Sequence, residues 1–346
     1  MSDPRDPIAD LRRIAFLLER GQEATYRVQA FRRAAATLGR LGTDELVRRA
    51  FDGKLTELAG VGEVTARCVV ESLGGEVPVY LRRLEAIEDE PLDEAAARLR
   101  QALRGDCHSH SDWSDGGSPI VEMAWAARDL GHEYLVLTDH SPRLVVANGL
   151  SAERLCKQLV EVAALNEELA PFRILTGIEV DILADGSLDQ EEELLAGLDV
   201  VVASVHSGLR SPAAEMTERM LTAVANPHMD ILGHCTGRRV KGRGRPESQF
   251  DAKAVFAACA ENGVAVEVNC RPDRLDPPKR LLRLAIEAGC LLSIDTDAHA
   301  PGQLDWQYLG CERAALCGAD VDRVVNSWPM PRLLAWARDR TVGADA

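Results

Sequence analysis

The rhythm of apolar positions changes near residue 105. Before it, Ile8, Leu11, Ile14, Ala15 and Leu18 recur at helical spacing, and Gly21 and Gly42 stand where helices would stop. Residues 54–73 read as helix, tight glycine turn, helix. Residues 76–104 are charged and helical in pattern, broken at Pro78 and Pro91. From 105 onward, short apolar runs alternate with amphipathic stretches. The runs fall at 133–138, 172–178, 198–205, 229–233, 263–268 and 290–295, after a short strand near 105–110. The stretches 118–131, 151–170, 211–225, 251–262 and 278–289 read as helices. Strand–helix alternation predicts an α/β fold with a parallel sheet, and about seven such units suit a closed or nearly closed barrel. A doubly wound open sheet is the alternative. The expected organisation is a helical domain over 1–85, a loosely packed helical linker over 86–104, a barrel over 105–330, and a C-terminal helix and tail over 331–346.

Composition narrows the setting. No apolar run reaches the roughly eighteen residues of a membrane span, and the N-terminus lacks an apolar signal core, so a cytoplasmic location is expected. The nine cysteines form no CxxC pair and read as reduced thiols, mostly core residues. Cys107 and Cys235 each neighbour a polar strand-end residue, and alternation predicts that they face away from it. A net charge of −15 argues against wholesale coating of nucleic acid, although residues 1–50 carry ten Arg against seven Asp and Glu.

The candidate chemistry sits at strand ends. Asp106-Cys107-His108-Ser109-His110, Asp139-His140, Glu179, His206, His234 and Asp297-Ala298-His299 each close an apolar run. The C-terminal ends of parallel strands are where catalytic groups assemble. Residues two apart on a strand share a face, so His108 with His110, and Asp297 with His299, can grip one cation. Imidazole and carboxylate together suit Mn, Zn or Fe. Six of the eight histidines with Asp115, Glu179 and Asp297 exceed the needs of one tetrahedral ion, so two or three divalent metals per chain are expected. His132 and His228 precede their strands and read as structural. Arg143, Arg238, Arg271 and Arg274 are candidates to hold a phosphate, and the basic, glycine-rich run 238–245 is a candidate contact for a nucleic acid backbone.

These motifs, with Glu267-Val268-Asn269-Cys270-Arg271, resemble the polymerase and histidinol phosphatase (PHP) domain over 105–330. They are most similar to the form found in bacterial family X DNA polymerases. The resemblance implies a distorted (β/α)7 barrel with a trinuclear metal cluster. Carried over by motif, one ion takes His108, His110, Glu179 and Asp297. A second takes Glu179, His206 and His234, and a third takes Asp115, His140 and His299. The catalytic groups implied are His108, His110, Glu179, His206 and Asp297; among the nearby arginines, Arg238, just after the His234 motif, is the favoured candidate for the substrate phosphate. Asp106 and Asp139 are candidates to orient imidazoles.

Leu58-Ala59-Gly60-Val61-Gly62 between two helices resembles a helix-hairpin-helix motif, in which Gly60, Val61 and Gly62 would approach a DNA phosphate. The polymerase palm of the resembling family has no counterpart between the two modules. Asp320-Val321-Asp322 lies after the barrel, and Lys54 is the only lysine before residue 157. Neither nucleotide addition nor a lysine-based lyase role is expected. The expected function is metal-dependent hydrolysis of phosphate esters at DNA ends or gaps, as a 3′-5′ exonuclease or 3′-phosphatase in repair. A small-molecule phosphomonoesterase of the histidinol phosphatase type is the alternative, and a non-enzymatic DNA-end scaffold is the third reading. No membrane partner is expected.

Overall fold

The computed structural model describes residues 5–87 and 91–342. Residues 88–90 of the expected linker and 343–346 of the expected tail lie outside the described residues. The chain divides into two compact units, Met1–Pro91 and Leu92–Ala346.

The first unit is all helical: α1 (Pro7–Arg20), α2 (Thr25–Leu38), α3 (Thr43–Phe51), α4 (Glu63–Leu73) and α5 (Val79–Glu85). Asp6 caps α1, its carboxylate accepting from the amides of Ile8 and Ala9, and Pro7 starts the first turn. The predicted stripe is buried at Leu11, Ile14, Ala15 and Leu18, where it meets Phe31, Leu38 and Val69. Each large side chain buried this way stabilises the unit by roughly 1.5–3 kcal/mol. A one-turn 3-10 helix, Leu55–Glu57, leads into the glycine turn before α4.

The second unit runs α6 (Glu94–Ala102), β1 (Gly105–Ser109), α7 (Ile120–Asp129), β2 (Tyr134–Leu137), α8 (Ala152–Leu169), β3 (Arg173–Asp181), α9 (Glu192–Leu195) and β4 (Val200–Ser204). It continues with α10 (Ala213–Val224), β5 (Ile231–Leu232), α11 (Ala252–Glu261), β6 (Ala265–Asn269), α12 (Lys279–Glu287), β7 (Leu291–Asp295), α13 (Gln307–Leu316) and α14 (Met330–Val342). All seven strands are parallel and stand in sequence order β1 to β7. The sheet is a nearly closed barrel, not the open doubly wound alternative. Its seam joins β1 to β7: Ser109 bridges Ala298, the Cys107 amide donates to Asp295, and the Thr296 amide and hydroxyl donate to Asp106.

Strand residues divide between two cores. Ile178, Val201, Leu232, Val266 and Ile294 pack outward on Met216, Met220, Phe256 and Leu282 of the surrounding helices. Tyr134, Val136, Leu175, Val202, Ile231 and Ala265 fill the interior, which Val325, Trp328 and Leu333 close at the end where the strands begin. Above that plug the interior positions turn polar. One segment differs from expectation. The stretch read as loose linker contains α6, whose Ala96 and Leu99 are buried, Leu99 in the same core as the barrel helices. Its charged residues lie on the solvent side of an amphipathic helix, which local charge density concealed.

Candidate metal centre

At the C-terminal ends of the strands, Glu179 stands at the middle of a cage of imidazoles. It is the third-to-last residue of the long strand β3, which hands its pairing from β2 to β4 at Gly177. A Cβ at Gly177 would lie 2.7 Å from both Val136 Cγ1 and the Val200 carbonyl, so only glycine permits that close passage. Glu179 Oε2 lies 3.3 Å from His108 Nε2, 3.6 Å from His110 Nε2 and 2.8 Å from His140 Nδ1. Its Oε1 lies 3.3 Å from His206 Nε2 and 2.9 Å from His234 Nε2. Asp115 reaches His140 at 3.5 Å and His299 at 3.3 Å. Asp297 reaches His110 at 3.4 Å and His299 at 3.5 Å. The ring centroids of His110 and His299 are 4.2 Å apart, and those of His110 and His140 are 4.4 Å apart.

Nine side chains drawn from seven segments thus converge, and the manner of their convergence points to cations. Both Glu179 carboxylate oxygens, and the Nε2 atoms of His108, His110, His206 and His234, are buried without a hydrogen-bond partner among the described residues. Three subsets have ligand atoms close enough to share an ion: His108, His110 and Glu179; His140, Glu179 and His206; and His110, Asp115, His140 and His299. The donor set is imidazole and carboxylate throughout, which fits divalent Mn, Zn or Fe. Relative to the ligand sets implied by resemblance, these subsets place His140 beside both Glu179 and Asp115, and His110 beside both clusters.

Electrostatics repeat the same theme. Burial alone would raise the Glu179 pKa, but His108, His206 and His140 hold it well below the carboxylate range. Burial opposes charge on His206, yet Glu179 and Asp181 lift it to about 9. His110 is pushed well below its ordinary value by burial, with His299 and His140 adding to the effect. Asp297 is also held well below the carboxylate range, because Arg271 and Arg274 outweigh its burial. Its backbone adopts φ +51°, a left-handed conformation uncommon outside glycine. Arg271 and Arg274 grip the carboxylate at 3.3 and 3.2 Å.

The groups that orient the imidazoles are not the expected ones. Asp139 accepts from Ser111, Ser114 and Gln158, holding the loop after β1. Asp106 closes the barrel seam. Neither meets an imidazole ring nitrogen. Glu267 fills that role, with Oε1 2.7 Å from His108 Nδ1 and Oε2 accepting from the His234 amide. Asp181 lies 3.6 Å from His206 Nδ1. Glu267 occupies an interior position of β6, and strand alternation with Asn269 was the available signal. Cys107 also departs from expectation. It packs inside the barrel with Tyr134 and Val136, because the β1–β2 register shifts between Asp106 and Ser109. Cys235 does pack outward.

The basic residues separate as well. Arg238 directs Nε to the Arg274 carbonyl at 3.0 Å and Nη2 to the Leu275 carbonyl, and lies 3.8 Å from Glu247. Its donors brace a loop, contrary to the expected role on a substrate phosphate. Arg143 pairs with Asp189. Arg271 and Arg274 are the arginines at the cluster. His132 and His228 stand outside all three metal-holding subsets.

In the helical unit, Gly60 has φ +85° and its Cα faces Arg33, whose Cβ would lie 3.3 Å from any added side chain. Val61 is buried in the core while Gly60 and Gly62 are exposed. The Val61 amide donates to Leu58 and the Gly62 amide to the Thr65 hydroxyl, so the turn is fixed internally. The N-terminus of α4 follows this turn, and a helix N-terminus is the end that ordinarily favours an anion. Among the described residues, no helix is long and apolar enough to cross a membrane.

Comparison with known proteins agrees with this division. Residues 4–76 match the helix-hairpin-helix domain and residues 106–271 match the PHP domain. The DNA polymerase/3′-5′ exonuclease PolX of Bacillus subtilis is 41% identical over 258 residues, 75% of this chain, and the chain spans 43% of that protein's length. A probable phosphatase of Thermoanaerobacter sp. is 29% identical over 56% of this chain and 78% of its own length. Among solved structures, a histidinol phosphate phosphatase from Lactococcus lactis, complexed with zinc, L-histidinol and phosphate, aligns over 63% of this chain and 95% of its own. Its TM-score is 0.46 at 18% identity.

Proposed function

We propose that this chain, with its PHP domain match and its N-terminal helix-hairpin-helix match, is a metal-dependent phosphoesterase that hydrolyses phosphate esters at DNA ends, removing a 3′ nucleotide or a 3′ phosphate. The observation that carries the reading is one chain combining nine clustered imidazole and carboxylate side chains with a glycine turn matched by a helix-hairpin-helix domain. The 3′-5′ exonuclease in the name of the Bacillus subtilis relative supports it.

In this reading His108, His110, Glu179 and Asp297 hold one cation, Glu179, His206 and His234 a second, and Asp115, His140 and His299 a third. Bound divalent cations lower the pKa of water and withdraw charge from phosphate oxygens. The protein's own groups set the stage for that chemistry. Glu267 fixes the His108 ring so that Nε2 faces Glu179. Asp181 does the same for His206. Arg271 and Arg274 keep Asp297 ionised, and their guanidinium forks suit a phosphate arriving beside it. The helical unit supplies grip without sequence preference, through backbone amides and the N-terminus of α4.

The second reading, a small-molecule phosphomonoesterase, is favoured by the probable phosphatases among the relatives. Purified protein with Mn²⁺ is expected to shorten 3′-ended DNA or release phosphate from a 3′-phosphorylated strand, with EDTA stopping both. Turnover of histidinol phosphate with DNA untouched would replace this proposal by the second reading.

A further inference from the structure

The run 237–245, Gly-Arg-Arg-Val-Lys-Gly-Arg-Gly-Arg, leaves the barrel three residues after His234 and carries five cations with no acid. In a chain of net charge −15 this concentration of positive charge stands out. It is also built. Arg239 and Arg245 pair as an antiparallel bridge, each amide donating to the other's carbonyl at 2.9 Å. Gly242 and Gly244 supply the positive φ values, +67° and +62°, that reverse the chain between them. The Val240 amide donates to the Asp273 carbonyl at 2.6 Å, pinning the hairpin to the loop that follows β6.

That loop leads directly to the metal cage. Arg239 lies 3.9 Å from Asp273, Asp273 lies 3.4 Å from Arg271, and Arg271 lies 3.3 Å from Asp297. The two ends of the run are spent on this scaffold: Arg238 on backbone carbonyls and Arg245 on the Gly237 carbonyl. Arg239, Lys241 and Arg243 remain solvent-exposed. Glu247 lies 3.8 Å from Arg238 and Asp273 lies 3.9 Å from Arg239, and burial together with Arg274 and Arg239 pushes the Arg245 guanidinium below its ordinary value. At the foot of the hairpin, Arg274 is 7% exposed, and its Nη1 is buried without a hydrogen-bond partner. A dense run of cations whose base leads to Arg271 and Arg274, both held against Asp297 at the cage, suits an extended anion better than a single charge.

We propose that the 239–245 hairpin clamps the phosphodiester backbone of a single DNA strand whose end lies at the metal cage. The inference rests on the DNA-end reading above. It assigns to this chain a contact that a small phosphomonoester would not use, because such a substrate ends at the cage. Contacts of this kind are electrostatic and ignore base identity, so they strengthen as salt falls.

The test uses the full chain with Mn²⁺ and two variants at the hairpin tip, K241E/R243E and the milder K241Q/R243Q. Two probes are compared, a single-stranded oligonucleotide and bis(p-nitrophenyl) phosphate. The expected result is a fall of at least about tenfold in the ratio of kcat/KM for oligonucleotide to kcat/KM for the small diester. The Gln pair should fall less than the Glu pair. The slope of log affinity against log salt for the oligonucleotide should become shallower by about 1.4, the loss of two single-strand phosphate contacts. If wild-type protein degrades the oligonucleotide and both variants keep the ratio within twofold, the hairpin proposal is overturned while the DNA-end reading stands. If wild-type protein hydrolyses phosphomonoesters and leaves the oligonucleotide intact, both fall together.

Discussion

The two units of this chain bury polar groups in opposite ways. In the helical unit, buried charge is partnered. Asp10 accepts from Arg5 and from the Ser72 hydroxyl, and Glu19 takes a two-pronged contact from Arg32. At the mouth of the barrel, carboxylate oxygens and imidazole nitrogens face one another with their hydrogen-bonding capacity unused. Leaving one such atom unsatisfied costs about 1–3 kcal/mol. A cage with at least six of them is tenable only if something outside the polypeptide completes it. The contrast separates structure from chemistry without reference to any relative: satisfied polar groups fasten a fold, and unsatisfied ones in a shared cavity await a ligand.

The sharpest way to break this contrast is at Glu179, which lies within 3.6 Å of five histidines. Glu179→Gln should lower hydrolysis by on the order of 10³-fold, a loss of several kcal/mol of metal-supplied stabilisation. Metal content measured on the purified variant should fall with it, and full metal occupancy at wild-type turnover would refute the assignment. Glu267→Gln should act more gently. It keeps the shape but weakens the hold on His108 Nδ1, and removing a partner of that kind typically loses 10–100-fold in metal affinity. Titration of Mn²⁺ into the metal-free protein, followed calorimetrically, would read it directly, and an unaltered affinity would reduce Glu267 to a packing group. The smallest effect is expected in the other unit. Gly60→Val forces a branched side chain into φ +85° and against Arg33. It should weaken DNA binding about tenfold in a fluorescence anisotropy titration. A larger effect on small-ester hydrolysis than on DNA binding would mean that the turn is only structural.

Much of this is legible in the sequence. The strands announced themselves because a fully buried parallel strand is a short run of β-branched and aliphatic residues, as in Val200–Ser204. The candidate ligands stand out because strand ends are where polar residues interrupt those runs. The run at 229–233 reads as a strand, and only its bounds differ, since Ile231–Leu232 alone pair as β5. What escaped has physical causes. Cys107 was assigned the wrong face because a register shift in β1 breaks the two-residue period. Glu267 looked like one more polar residue in an apolar run. Its partner His108 lies 159 positions away, a distance that local pattern does not cross. Arg238 was favoured for its closeness to His234 in sequence, whereas Arg271 and Arg274 are the arginines close to the cage in space.

The barrel seam carries one more implication. Strands β1 and β7 are the first and last of the ring, and side chains supply most of the bonds that join them. His108 and His110 rise from one lip of that join, and Asp297 and His299 from the other. A cation gripped by both pairs would therefore act as a clasp as well as a reagent, fastening the start of the domain to its finish. Binding that cation would then add to the protein bonds that already hold the seam.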